Sequence, residues 1–387
     1  MNLKKITHID DFQHQARRRV PKMFYDYVDS GSWTGSTYRA NEVDLQQLLF
    51  RQRVAVNIEQ RSTQSQLLGQ TVAMPLALSP TGLTGMQHAD GEILAAQAAK
   101  SFGVPFTLST MSICSLEDIA THTKAPFWFQ LYVMRDRSFM EALIDRAKAA
   151  NCSALVVTLD LQVLGQRHKD IKNGLSTPPK PTLRNIINLA TKPYWCAQML
   201  QTKRRSFGNI VGHAKGVSDL SSLATWTAEQ FDPTLCWDDI AWIKARWGGK
   251  LILKGIMEPE DAQHAVDAGA DAIVVSNHGG RQLDGAPSSI SALVPIVEAV
   301  KGKTEIYVDG GIRSGQDILR AMALGADGTM IGRAFLYALG AAGQAGVERC
   351  LEIFQNEFSV SMALCGKNSV SEVDRRILLN PTIFDRT

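Results

Sequence analysis

The chain has 387 residues, of which 45% are hydrophobic and 20% charged, with 30 glycines and 14 prolines. That composition excludes a disordered, collagen-like or disulfide-scaffold protein and leaves ample chain for a sizeable core. The net charge of +3 conceals an island: Lys172, Lys180, Arg184, Lys192, Lys203, Arg204, Arg205 and Lys215 follow one another with no Asp or Glu between Ile171 and Ser218.

The beginning, MNLKKITHIDDFQ, lacks an apolar h-region, so no secretory signal is expected. No uncharged apolar run is long enough for a bilayer-spanning helix. The six cysteines form no CxxC pair and have no histidine at ligand spacing. Reduced thiols in a cytoplasmic setting and no metal site are therefore expected.

Residues 8–49 read as polar helix with a break at Gly31. From Thr71 the rhythm changes. Short apolar runs at 72–78, 104–109, 127–132, 154–159, 250–254, 272–276, 305–309 and 328–332 alternate with amphipathic segments. Three of those segments carry a serine followed three residues later by an acid: Ser115 and Asp118, Ser138 and Glu141, Ser314 and Asp317. This is the capping-box signature of a helix start. Buried parallel strands separated by helices, eight times over, predict an α/β (β/α)8 TIM barrel. The expected organisation is one domain over 1–387. It comprises a helical extension (1–70), a barrel (71–345) interrupted by an insert (166–235), and a C-terminal helix and tail (346–387). The insert follows the fourth strand and so rises from the face that carries the catalytic groups in barrels.

Reading only the C-terminal strand ends gives a concentrated polar set. It contains Thr81, Gly82, Ser109, Gln130, Tyr132, Thr158, Asp160, Lys254, Ser276, His278, Asp309, Gly332 and Arg333. Strand side chains alternate faces, so Gln130 with Tyr132, Thr158 with Asp160, and Ser276 with His278 converge on one cavity. In SNHGGRQLDG (276–285), His278 leaves the sixth strand as a candidate base, with Asp160 as its orienting carboxylate. Arg281 and Arg167 are suited to clamping a carboxylate in bidentate fashion. DGGIRSGQD (309–317) and the Gly-Arg pair at 332–333 form a glycine-rich anion site after the last two strands, with Arg313 and Arg333 adding charge. A phosphate handle there suits FMN or a phosphorylated substrate, and Lys254 suits neutralising a reduced isoalloxazine. The GxGxxG dinucleotide fingerprint is absent from this region.

These strings together resemble a known family. PKMFYDYVDSG, PTGLTGM, TLSTMS, FQLYV, VTLD, DIKNG, LKGI, SNHGGRQLDG, DGGIR and IGRAFLYAL are similar to the FMN-dependent L-2-hydroxyacid dehydrogenases and oxidases, from about residue 8 to about residue 375. WFQLYVMRDRSFM, FDPTLCWDDIAWI and GRAFLYALGAAGQAGV resemble the membrane-associated bacterial L-lactate dehydrogenase branch.

The resemblance implies FMN as cofactor and oxidation of a small L-2-hydroxy acid, foremost L-lactate to pyruvate. His278 is then the base and Asp160 its partner. Arg281, Arg167, Tyr27 and Tyr132 hold substrate, and Lys254 stabilises anionic reduced flavin. Thr81, Gly82, Ser109, Gln130, Thr158 and Ser276 line the flavin. Asp309, Gly311, Arg313, Gly332 and Arg333 hold its ribityl phosphate. A homotetramer is implied by relatives. Ser79 and the Leu161-Gln162-Val163 run depart from the common pattern, where Ala and a proline are usual.

The basic island also contains Leu183, Ile186, Ile187, Leu189, Tyr194, Trp195, Met199 and Leu200. An amphipathic, acid-free stretch (172–215) suits an anionic membrane surface. The expectation is peripheral attachment on the cytoplasmic side of the inner membrane, with quinone as electron acceptor and no nucleic-acid partner. The alternatives are a soluble cytoplasmic oxidase using O2 on glycolate or lactate, a mandelate dehydrogenase, and a non-catalytic FMN-binding barrel.

Overall fold

The computed structural model describes residues 1–175, 182–214, 217 and 230–385. Three helices open the chain: α1 (Ile9–Arg19), α2 (Lys22–Val28) and α3 (Ser36–Gln47). Pro21 separates the first two, because it cannot donate the backbone bond that would continue α1. A short antiparallel hairpin follows, β1 (Ser65–Leu67) and β2 (Gln70–Val72).

Among the described residues, eight parallel strands then form one sheet. They are β3 (Leu76–Leu78), β4 (Thr107–Ser109), β5 (Trp128–Tyr132), β6 (Ala154–Thr158), β7 (Lys250–Ile256), β8 (Ala272–Ser276), β9 (Glu305–Asp309) and β10 (Gly328–Ile331). The order β3-β10-β9-β8-β7-β6-β5-β4 is that of a TIM barrel, and the Leu78–Phe106 bridge brings the two edge strands together.

Two strands are shorter than expected. The 72–78 run is split, with Val72 in the hairpin and Leu76 beginning the barrel, because Pro75 has no N–H for the ladder between them. The 104–109 run enters the sheet only after Pro105, at Thr107. One helix start also moves. Ser115 and Ser314 close the expected capping boxes, but the helix Arg137–Ala149 is capped by Asp136 rather than Ser138.

Alternation along the strands sorts the lumen into two levels. Ala77, Trp128, Val156, Ile252, Val274, Tyr307 and Met330 form an apolar lower core, plugged by Leu67 and Val72 of the hairpin. The next inward positions, two residues further along, are Ser79, Gln130, Thr158, Lys254, Ser276 and Asp309, all buried. The larger hydrophobic shell lies outside the strands, between sheet and helices.

The insert folds back on the N-terminal helices through α4 (His168–Lys172), α5 (Leu183–Ala190) and α6 (Pro193–Gln201). Its apolar residues divide. Trp195 and Met199 are buried beside Phe24 and Met86, and the Trp195 indole N–H donates to the Met86 carbonyl at 2.9 Å. Leu183, Ile186, Ile187, Tyr194 and Leu200 face outward, with Leu183 74% and Leu200 76% exposed.

The basic island divides too. Arg204 pairs with Asp90 and Asp118, and Lys192 donates to the Arg17 and Arg18 carbonyls. Lys172, Arg184, Lys203 and Arg205 remain at the surface, while Lys180 and Lys215 lie outside the described residues. Among the described residues, no helix is long and apolar enough to cross a membrane.

Candidate active site

A cavity of about 510 Å³ opens at the C-terminal end of the barrel. Thirteen sequence-expected residues line it. Tyr27 comes from α2, Thr81 and Gly82 from the turn after β3, and Tyr132 from the end of β5. Arg167 enters from the insert, and Lys254, His278 and Arg281 from β7 and the loop after β8. Asp309, Gly311, Arg313, Gly332 and Arg333 complete the far side. Asp160 stands behind His278. Ser109, Gln130, Thr158 and Ser276 are buried and do not contribute to the cavity wall.

The imidazole of His278 lies against the Asp160 carboxylate, Nδ1 to Oδ1 at 2.9 Å. A carboxylate accepts, so Nδ1 carries the proton and Nε2 keeps a free lone pair. Burial lowers the pKa of His278, and Asp160 opposes that shift without cancelling it. The ring is therefore neutral at pH 7, oriented by a carboxylate, and able to accept a proton.

Beneath it, Lys254 is 4% exposed. Its ammonium lies 2.8 Å from Asp309 and donates to the Ser276 hydroxyl at 2.8 Å. Burial raises the Asp309 pKa, but Lys254 and a hydrogen bond from Ser79 outweigh it and the net shift is downward. Ser79, the departure from the family pattern, thus has a concrete partner in this network. A buried lysine with a carboxylate counter-ion is a fixed cation at the top of the lumen.

Arg281 stacks over the Tyr27 ring, 4.6 Å from its centroid, and donates to the Tyr27 carbonyl. Burial, then the neighbouring Arg167, push its pKa down to about 9, so it still carries its charge at neutral pH. Its Nη2 is buried without a partner, as is Nε of Arg167. Asp170, 3.8 Å from Arg167, leaves Oδ1 unpartnered as well. Two guanidiniums with unused buried donors facing one cavity have the chemistry of an anion site, because leaving such donors unpaired is costly.

The glycine-rich side is held from two directions. Arg333 donates to the Val28 and Ser30 carbonyls, and Arg313 pairs with Glu42 of α3 at 2.9 Å. Gly311 is in the left-handed region (φ 81), and a Cβ there would meet the Asn41 carbonyl oxygen at 2.1 Å. At Gly82 a Cβ would come within 3.3 Å of both the Tyr27 hydroxyl and Met111.

Sequence reasoning missed several wall residues. Leu161, Leu164, Ile171, Leu175, Phe207 and Phe231 form an apolar lip, and Asp170 neighbours the arginines. Phe231 meets Tyr132 edge-on at 5.7 Å, far from it in sequence. Only the run DIKNG carried a signal for Asp170. Leu161 and Leu164 lie in the irregular stretch just after β6, and Leu175, Phe207 and Phe231 in the insert, where no periodicity marks them. Among the described residues, no group of three or more His, Cys, Asp or Glu could hold a metal ion.

The residues fit FMN. A buried Gln130 Nε2 donor has no protein partner, Lys254 supplies a fixed positive charge, and Gly332 leaves space beside its backbone, where a Cβ would meet nothing nearer than Thr81 at 3.6 Å. The family described as FMN-dependent dehydrogenase matches residues 16–380. The L-lactate dehydrogenase of Actinobacillus pleuropneumoniae serotype 5b (strain L20) is 46% identical over 97% of this chain and 98% of its own length. That of Xanthomonas campestris pv. campestris (strain B100) is 46% identical over 95% of each. Among solved structures, the monotopic membrane protein (S)-mandelate dehydrogenase has a TM-score of 0.93 at 32% identity, covering 97% of this chain and 100% of that one. A mandelate oxidase has a TM-score of 0.83 at 36% identity, with 97% and 98% covered. With its barrel, its polar upper lumen and these likenesses, the chain belongs to the FMN-dependent dehydrogenase family and oxidises 2-hydroxy acids.

Proposed function

We propose that the protein oxidises L-lactate to pyruvate. The observation that carries the reading is the His278–Asp160 pair beside two arginines with unused donors. Arg281 and Arg167 bind the substrate carboxylate. Tyr27 and Tyr132 complete the pocket around the hydroxyl carbon. His278 Nε2 accepts a substrate proton, and Asp160 stabilises the imidazolium that results. Bound FMN supplies the two-electron acceptor.

Lys254 would supply the positive charge that offsets the negative charge of a reduced flavin. Thr81 and Gly82 would face the flavin from the cavity wall, with Ser109, Gln130, Thr158 and Ser276 buried behind it, and Gly311, Arg313, Gly332 and Arg333 would form the phosphate end. Asp309, being a carboxylate, holds Lys254 rather than meeting the phosphate. The whole chain acts as one catalytic domain. Anaerobic titration of the purified protein with L-lactate is expected to bleach the flavin bands. Bands that persist with L-lactate but bleach with (S)-mandelate would reassign the substrate.

The outward residues Leu183, Ile186, Ile187 and Leu200, rimmed by Lys172, Arg184, Lys203 and Arg205, support attachment to an anionic membrane on its cytoplasmic side. In this reading quinone takes the electrons and the protein works as a homotetramer. Deleting 172–215 would also remove buried Trp195, Met199 and Asn209, so the surface is better tested by Leu183, Ile186 and Ile187 to Ser together. That variant is expected to stop pelleting with anionic liposomes while still being reduced by L-lactate. Unchanged pelleting would contradict the membrane assignment, and stoichiometric peroxide in air would contradict the quinone.

A further inference from the structure

Three consecutive residues after β8 lie in the left-handed region: His278 (φ 56), Gly279 (φ 66) and Gly280 (φ 70). For two glycines this is unremarkable. For a histidine it is a strained backbone that persists only where surrounding contacts enforce it. Those contacts come from α3. Asn41, 1% exposed, and Asn277 exchange two amide hydrogen bonds, at 2.9 and 2.8 Å. Asn277 Oδ1 also accepts from the Gly280 N–H at 2.9 Å, which closes the turn around His278. Asn41 Oδ1 also accepts from the Ser289 N–H at 3.0 Å.

The same residue reaches the second cluster. The Asn41 carbonyl lies where a Gly311 side chain would be, and its Nδ2 lies 3.3 Å from where a Gly310 Cβ would stand. Helix α3 is itself pinned to the far end of the His278 loop. The Asp284 carboxylate accepts from the Thr34 and Thr37 N–H groups and from the Thr34 and Ser36 hydroxyls, at 2.6 to 3.0 Å.

We propose that Asn41 is a positioning residue that sets two parts of the site at once: its side chain holds the strained turn presenting His278, and its backbone carbonyl backs the glycine cradle at the phosphate end. It touches no substrate and acts through Asn277 and Gly311. This rests on the reading of His278 as the base. An amide is required because Asn41 must donate to Asn277 Oδ1 while accepting from Asn277 and Ser289. Neither a carboxylate nor an aliphatic side chain does both.

The test compares Asn41→Ala with Leu45→Ala, a buried residue one turn further along α3 whose loss weakens packing without touching the turn. Asn41→Ala is expected to slow anaerobic flavin reduction by L-lactate about 100-fold, the cost of a misplacement near 1 Å. Its apoprotein should bind FMN about as tightly as wild type by fluorescence titration, because the Asn41 carbonyl against Gly311 is retained. The acid limb of its reduction rate should rise toward about 6.5 as His278 loses the burial that lowers its pKa. Leu45→Ala should melt at a lower temperature yet keep rate, FMN affinity and pH limb. Should Asn41→Ala fail to fold, Asn41→Ser takes its place with the same expectations at smaller amplitude.

A rate within about twofold of wild type, or the same losses in Leu45→Ala, would overturn the inference. His278→Gln separates the two claims. If it turns over normally the base assignment fails, whereas if it is inactive and the Asn41 variant is normal only the positioning role fails.

Discussion

The lower and upper lumen of the barrel are built by the same strands, two residues apart, and have opposite chemistry. Trp128 gives way to Gln130, Val156 to Thr158, Ile252 to Lys254, Val274 to Ser276 and Tyr307 to Asp309. Below, the Trp128 and Tyr307 rings stack 6.0 Å apart and fill the barrel. Above, the inward side chains Ser79, Gln130, Thr158, Lys254, Ser276 and Asp309 are all hydrogen-bonding groups, with Gly332 following Met330, and Lys254, Ser276, Asp309 and Ser79 form one connected network. Strand alternation alone thus converts a packed core into a site: the apolar level fills the barrel and the polar level carries the chemistry.

The comparison is tested hardest by removing the upper cation. Lys254→Met leaves Asp309 buried without its counter-ion, and breaking such a pair costs about 3–5 kcal/mol. Denaturant unfolding should show that loss, and turnover should fall with it. A variant that is as stable as wild type would mean the pair is not buried as a unit. One level down, Ile252→Ala should cost about 2–5 kcal/mol through the cavity it leaves, with the L-lactate reduction rate almost unchanged. A large rate loss there would erase the division between levels.

The smallest effect is one of pH. Because burial depresses the His278 pKa, the reduction rate should be flat near neutrality and fall only below about 6.5. The unfolded chain protonates first on acidification, so the same group withdraws stability as pH falls below that value. Asp160→Asn removes the opposing carboxylate and should move the acid limb further down while slowing the reaction. An acid limb that rises in Asp160→Asn would contradict the geometry.

Much of this was legible in the sequence because strand alternation and strand ends are local. Ser276 and His278 share a face by parity, and HGGR follows directly. Pro75 and Pro105 are also local signals, and they explain why two strands start later than the apolar runs suggest. What stayed hidden depends on distant partners. Asn41 carries no motif in STYRANEVDL, and its role appears only when α3 meets Asn277 and Gly311. Trp195 and Met199 read as part of an outward amphipathic stretch, since nothing in their spacing distinguishes a face packed on Phe24 from one left to solvent. Phe231 and Asp170 reach the cavity from an irregular insert, where neither period applies.

In the upper lumen, the reaction depends on His278 as base. That dependence is tested most directly by rapid anaerobic mixing of L-lactate with flavin-loaded wild type and His278→Gln, followed in the flavin band. A fast bleach is expected in wild type, and a loss of about 10³-fold or more in a variant that stays folded and yellow. Equal bleaching rates in the two proteins would contradict it.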